Sequence, residues 1–317
     1  MQKRFLVSAA SSPLPPFVAF LATFLTSVAT ASPANPIRID GSSTVYPIVE
    51  ALAEEYQSEH PDTEITIGVS GTGGGFKKFC AGELEIATAS RPIQPVERAL
   101  CETSGVSFRE IPIATDAIVV VVHPSNTWAQ CLTVGELAAI WEPAAQGKIT
   151  SWKQVREEFP DRPLTLYGPG TDSGTFDYFT EAVVGTAKRS RGDYTASEDD
   201  NVLIRGVAGD PGSLGYFSLA YYLQNTGQLK AVAVSPTKER ATATAPSPQV
   251  ANGCVLPSTD TVKAGAYRPL SRPLYVYQST QPAGTASSSE VGPFIEFASA
   301  VERGPLIEEV GFISLVH

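Results

Sequence analysis

Three times in this chain a short apolar run breaks off at a cluster of glycines and hydroxyls that opens a helix. Ile37-Arg38-Ile39-Asp40 leads into Gly41-Ser42-Ser43-Thr44. Residues 64–69 lead into Ser70-Gly71-Thr72-Gly73-Gly74-Gly75-Phe76, and residues 164–167 into Gly168-Pro169-Gly170-Thr171-Asp172-Ser173-Gly174-Thr175. Strand, tight junction and helix in alternation call for an α/β fold with parallel strands, whose ligands gather at the carboxyl ends. The middle junction constrains the backbone most. Its glycines lack Cβ atoms, so the chain can bend sharply and bring N–H groups close to a ligand. The spacing predicts a loop over residues 70–75 and a helix from Phe76, with the loop amides at the positive helix N-terminus, where anions are held. One such loop reads equally well as a flexible turn, whereas three at equivalent places point to a site.

Between these junctions the pattern predicts further elements. A helix over residues 45–59 has Ser43 or Thr44 as N-cap, Pro47 in its first turn and Val45, Ile48, Val49, Leu52 and Tyr56 on its apolar face. A strand over 85–89 ends at Ser90-Arg91-Pro92, followed by a helix over 95–102 and a strand over 106–113. Residues 117–122, behind Asp116, read as a fully buried strand and the first crossing into a second domain. Residues 132–141 read as a capped helix, 212–217 as a glycine-bracketed turn, 229–234 as a strand and 235–252 as an exposed Ala, Thr, Ser and Pro-rich excursion. Residues 272–277 form a β run back to the first domain, and residues 290–301 a closing helix.

The 317 residues suffice for two domains, and 43% hydrophobic with 18% charged residues describes a globular chain. A net charge of −10 argues against nucleic acid or anionic membrane surfaces as partners. It also means that an anion must be held by local dipoles. The first 31 residues read as a signal peptide: Lys3 and Arg4, an apolar run over 17–28, and Ala29-Thr30-Ala31 as a cleavage site. The run is too short to span a bilayer, so the mature chain is expected in the periplasm, cut after about Ala31. No cysteine follows the cut to carry a lipid.

Four cysteines, Cys80, Cys101, Cys131 and Cys254, in an exported chain suggest two disulfides. Of the three connectivities, Cys80–Cys101 with Cys131–Cys254 is favoured, because the first pair is local and each then stays within one domain. Closing the short loop would contribute about 3 kcal/mol in the chain-entropy model. There is no C-x-x-C, and no metal or cofactor is expected.

Hydroxyls and amides arriving from several directions suit a tetrahedral oxyanion. Ser43, Thr44, Thr72, Ser90, Ser173 and Thr175 supply hydroxyls, and Val45, Gly73 and Gly174 supply amides. Arg91 offers a bidentate fork, although a lone arginine is more often a surface ion pair. Asp172 would accept a proton from hydrogen phosphate and repel sulfate, which carries none, or would simply cap the next helix. Asp40 and Asp116 read as strand-end structure. Enzyme readings fare badly: His60, His123 and His317 suggest no Ser-His-Asp arrangement, G-x-S-x-G is absent, and the glycine run fits neither nucleotide pattern.

Taken together, Asp40-Gly41-Ser42-Ser43-Thr44-Val45-Tyr46-Pro47, Gly68-Val69-Ser70-Gly71-Thr72-Gly73-Gly74-Gly75, Ala89-Ser90-Arg91-Pro92, Asp172-Ser173-Gly174-Thr175 and Arg272-Pro273-Leu274 resemble the periplasmic phosphate-binding proteins of Pst-type ABC transporters, in a cyanobacterial-like branch. The resemblance implies a class II periplasmic-binding-protein fold, two lobes with mixed sheets joined by two crossing strands. Lobe 1 would comprise residues 32–115 plus 273–317, and lobe 2 residues 116–272. It implies a monomer that engulfs inorganic phosphate, by the residues just named, and delivers it to ABC permease subunits. Compared with the enteric type, cation and carboxylate exchange lobes, with Arg91 in the first and Asp172 in the second. Two other readings of the same cradle are a secreted phosphatase-like enzyme and a phosphate-sensing or adhesion module.

Overall fold

The computed structural model describes residues 36–236, 238, 253–280 and 289–315. The signal-peptide reading, nearly all of the excursion over 235–252, and His317 lie outside them. In chain order the elements are β1 (Ile37–Gly41), α1 (Tyr46–Glu59), β2 (Ile65–Gly68), α2 (Gly71–Cys80), β3 (Ile86–Ala89), α3 (Pro95–Thr103), β4 (Phe108–Val122), β5 (Cys131–Thr133), α4 (Val134–Trp141) and α5 (Trp152–Val155). Then come β6 (Thr165–Gly168), α6 (Gly174–Val184), β7 (Thr195–Ala196), α7 (Asp200–Gly209), β8 (Ser213–Ser218), α8 (Leu219–Leu223), β9 (Lys230–Ala231) and β10 (Ala233–Ser235). The chain closes with α9 (Thr259–Lys263), β11 (Ser271–Ser279), α10 (Val291–Ala298), α11 (Gly304–Glu309) and β12 (Ile313–Ser314).

The sheet runs β2-β1-β3-β11-β4-β8-β6-β7 and is mixed. β1 pairs parallel with β2 and β3, and β6 pairs parallel with β7 and β8. These parallel groups carry the strand-to-helix junctions seen in the sequence. β11 and β4 join them with antiparallel pairings: β11 to β3 and to the first part of β4, and the last part of β4 to β8. The two apolar stretches read as strands over 106–113 and 117–122 are thus one fifteen-residue strand.

The apolar core changes identity along these two strands. Ala117 to Val122 pack with Trp141, Trp152, Phe179, Leu203, Phe217 and Leu270, whereas Ile113, Ala114, Leu274 and Val276 pack with Ile39, Ile48, Leu52, Phe294 and Ile307. A smaller cluster gathers Phe76, Phe79, Ala89 and Tyr277 around Cys80 and Cys101. Cys80 is bonded to Cys101 and Cys131 to Cys254.

Four local expectations are corrected. The glycines at 71–75 do not form a loop but the first turn and a half of α2. Glycine is a poor helix former, and its use here is close approach: a Cβ on Gly75 would lie 2.6 Å from the Cα of Gly41. Residues 213–218 are a buried strand and not a turn, and a Cβ on Gly215 would meet Val207 Cγ2 at 2.7 Å. The N-cap of α1 is Val45, with no side-chain cap, because Ser43 and Thr44 turn their hydroxyls elsewhere. The helix read over 132–141 starts only at Val134, where Thr133 and Glu136 form a capping box and residues 131–133 pair with β10.

Candidate functional site

The carboxyl ends of β1, β2, β3 and β6 deliver residues 42–45, 70–73, 90–91 and 172–175 to one place. Thr44 Oγ1 lies 3.2 Å from Thr175 Oγ1, and Thr72 Oγ1 lies 3.3 Å from Ser90 Oγ. The two pairs meet over Gly174, where an added Cβ would come within 2.5 Å of both Ser90 Oγ and Thr72 Oγ1. All four hydroxyl residues are buried. Across this junction the Gly73 amide donates to the Asp172 carbonyl at 2.8 Å, so the α2 side and the α6 side are in direct backbone contact.

The cation in the middle is one that local sequence reasoning passed over. Arg272, on β11, is 1% exposed. Its Nη2 donates to Thr175 Oγ1 at 2.8 Å, to Thr44 Oγ1 at 3.2 Å and to Asp116 Oδ2 at 3.0 Å, while Nε reaches the same Asp116 oxygen at 3.3 Å. Nη1 has no hydrogen-bond partner. A buried, unpartnered guanidinium N–H beside the hydroxyls of Thr44 and Thr175 could donate to an oxyanion, and leaving such a group unsatisfied is costly. Asp116 also accepts from Ser218 Oγ at 2.8 Å. Burial pushes its pKa up, against the pull of Arg272. The signal was present: an arginine within a β run and an aspartate before a fully apolar strand are expensive unless they find each other.

Arg91 is placed differently from its expected role. Its Nη1 and Nη2 form a fork on Glu97 at 2.8 Å each, Nη1 also reaches the Pro92 carbonyl, and Nε donates to Asp177 Oδ2 at 2.6 Å. It ties the end of β3 to α6. Asp172 turns its carboxylate outward to Lys77 at 2.9 Å, on a side chain that is 42% exposed. Asp40 holds the β2–α2 turn through Ser70 and Lys78, as strand-end structure should.

The remaining expected residues divide by what they touch. Ser173 spends its hydroxyl capping α6, accepting from the amides of Thr175 and Phe176. The Val45 amide donates to the Ser42 carbonyl. Ser43 Oγ lies 3.5 Å from Asp200 Oδ2, and its carbonyl accepts from Tyr221 Oη at 3.2 Å. Asp200, in the first turn of α7, is a second carboxylate that sequence reading missed, because Glu198-Asp199-Asp200 looks like an ordinary acidic helix start. It is 3% exposed. Burial pushes its pKa up to about 7, with Asp116 and Asp199 adding to the rise and Arg272 and the Ser43 hydroxyl opposing it.

His60 and His123 have other partners. His60 stacks on Tyr56, and His123 meets Ser125. Trp141 and Trp152 are buried in the larger core cluster, with Trp128 packed against it.

A family model described as the PBP superfamily domain matches residues 26–301. Protein SphX of Synechococcus elongatus is 46% identical over 279 residues, which cover 88% of this chain and 77% of that protein. Phosphate-binding protein PstS of Staphylococcus saprophyticus is 33% identical over 281 residues, covering 88% of this chain and 80% of that one. The chain belongs to the Pst-type phosphate-binding proteins. Within them it falls in the cyanobacterial-like branch that SphX represents.

Solved structures agree. A phosphate ABC transporter substrate-binding protein of Clostridium perfringens, determined with bound phosphate, aligns with a TM-score of 0.69 at 26% identity, covering 89% of this chain and 100% of that one. A structure described as a possible phosphate binding protein of Planctomyces limnophilus aligns at 0.60 with 44% identity, covering 89% and 94%. The mixed sheet with β4 and β11 as connecting strands is the class II periplasmic-binding-protein fold of these neighbours.

Proposed function

We propose that this chain is an exported receptor that encloses inorganic phosphate and passes it to an ABC permease. The observation that carries the reading is Arg272: a buried guanidinium with an unpartnered Nη1, fixed between the hydroxyls of Thr44 and Thr175 and backed by Asp116. Thr72 and Ser90 complete a ring of small donors, and the N-terminus of α6 faces the same spot. Such a set complements a tetrahedral oxyanion and provides no activated nucleophile, so the reading is of binding and not of turnover.

In this assignment Thr44, Thr72, Ser90, Gly174, Thr175 and Arg272 hold the anion. Ser43, Val45, Gly73, Asp172 and Ser173 shape the walls, and Arg91 fastens one wall to the other through Asp177. Lobe boundaries at 115/116 and 272/273 are supported by the change of core partners along β4 and β11. The Asp116–Arg272 pair would then sit at both crossings at once. Removal of the first 31 residues and residence in the periplasm fit the basic and apolar segments of the leader.

The deciding experiment is calorimetric titration of the purified mature chain with phosphate, arsenate, sulfate and molybdate. Saturable one-to-one binding of phosphate, with sulfate much weaker, is expected. No phosphate heat, or tighter binding of another oxyanion, overturns the assignment.

A further inference from the structure

Between the β3–α3 junction and α6 lies a cavity of about 520 Å³ that the anion site does not use. Pro92, Ile93 and Pro95 wall it on one side, Tyr178 and Ala182 of α6 on the other, and Pro269 closes it from the turn before β11. The volume suits a small organic molecule, and prolines facing a phenol ring offer rigid, flat, apolar contact. The charge of the walls is one-sided. Arg91 lines the cavity, but Glu97 and Asp177 already match its guanidinium. Arg268, next to Pro269, lies against Gly265 and is not part of the lining. Glu181 is part of it, and among the described residues its exposed carboxylate has no hydrogen bond or ion pair. The cavity therefore favours a cation, the opposite of what the hydroxyl cradle favours. Two of its wall residues are each one bond from an element of that cradle. Arg91 Nε donates to Asp177, two residues beyond Thr175 on α6, at 2.6 Å. Tyr178 Oη donates to the carbonyl of Ser271, the residue before Arg272, also at 2.6 Å.

We propose that this cavity is a second ligand site, for a small organic cation with a flat apolar body, and that its occupancy and phosphate binding strengthen each other. The cationic end meets the Glu181 carboxylate, and the apolar body lies between the prolines and the Tyr178 ring. The coupling follows from where the walls belong. On the lobe boundaries given above, residues 92–95 are in one lobe and residues 178–182 in the other. A molecule that fills the space between them favours the same closed arrangement that an enclosed anion favours, and two ligands that favour one state favour each other. The coupling rests on the phosphate-receptor reading, whereas the cavity and its charge do not.

The test is titration of the mature chain with 2-phenylethylamine, followed by calorimetry and by NMR of the amine. One-to-one binding at about millimolar concentration is expected, with neutral 2-phenylethanol weaker and anionic phenylacetate weaker still. Glu181→Gln should weaken the amine about two- to fivefold. Ala182→Trp fills the cavity and should abolish amine binding while phosphate still binds. Saturating phosphate should lower the Kd of the amine about fivefold or more, and saturating amine should lower the Kd of phosphate by the same factor. No saturation by the amine, equal binding of phenylacetate, or amine binding that survives Ala182→Trp overturns the inference. Should that variant not fold, the exposed Glu181 decides: Glu181→Lys must lose the amine, and wild-type affinity overturns the inference. Amine binding that leaves the phosphate Kd unchanged refutes the coupling and leaves the receptor reading intact, whereas absence of any phosphate heat overturns the receptor reading and the coupling with it.

Discussion

Arg272 and Asp116 are register partners on neighbouring antiparallel strands, and their side chains form an ion pair at 3.0 Å. The pair lies where β4 and β11 pass from one core cluster to the other. On the proposed reading, the guanidinium that meets the anion is thus anchored where the two crossing strands pair. Arg272→Lys keeps the charge beside Asp116 but removes the planar fork that reaches Thr44 and Thr175. Phosphate affinity by calorimetry should fall by about 2 to 5 kcal/mol, with the melting temperature much less affected.

Gly174 marks the point where the hydroxyl pairs converge. Gly174→Ala would push a methyl to within 2.5 Å of Ser90 Oγ and Thr72 Oγ1. Overpacking of about 1 to 3 kcal/mol should appear as a tenfold to hundredfold loss of phosphate affinity, while circular dichroism of the folded chain stays unchanged. Unaltered affinity would remove Gly174 from the site.

Arg91 is expected to behave as a fastening and not as a ligand. Arg91→Ala strands Asp177, which is 1% exposed and whose Oδ1 already lacks a partner. The loss should be about 3 to 5 kcal/mol in urea denaturation, with strong coupling to Asp177→Ala in a double-mutant cycle. Full stability with abolished phosphate binding would instead put Arg91 on the anion.

The ligand-free chain should lose stability as pH rises from about 4 to about 7. The Asp200 pKa is raised on folding, to about 7, so folding favours its neutral form. That contribution is complete below the unfolded value near 4 and is lost through the folded one, at up to about 1.4 kcal/mol per pH unit. Asp193, held down to about 2 chiefly by its hydrogen bonds from Arg191, acts with the opposite sign and only in stronger acid. Denaturation midpoints of the wild type and Asp200→Asn, followed over that range without phosphate, should diverge with increasing pH. Parallel curves would contradict the burial of an uncompensated carboxylate.

The strand–junction–helix units could be read from residue order because period and punctuation are local properties. The hydroxyls at 44, 72, 90 and 175 lie together for the same reason: each ends a strand in a parallel set, and such ends converge. The helical state of Gly71 to Gly75 was not legible. It depends on how near the Gly41 backbone lies, which no window of neighbouring residues encodes. Arg272 and Asp200 were missed on similar grounds. The arginine finds Asp116 at a separation of 156 residues, and the aspartate sits in the acidic run Glu198-Asp199-Asp200, where only the fold shows that it is buried. Sequence could mark Arg272 as expensive to bury, but only the pairing of β11 with β4 shows which carboxylate it meets.

The separation of 228 positions between Thr44 and Arg272 also sets an order of assembly. A chain made from its N-terminus releases the hydroxyls of residues 44 to 175 before β11, which pairs between β3 and β4, has been synthesised. Until then the cradle has no Arg272 guanidinium. On the reading proposed above, the site therefore becomes competent only when the fold is all but finished.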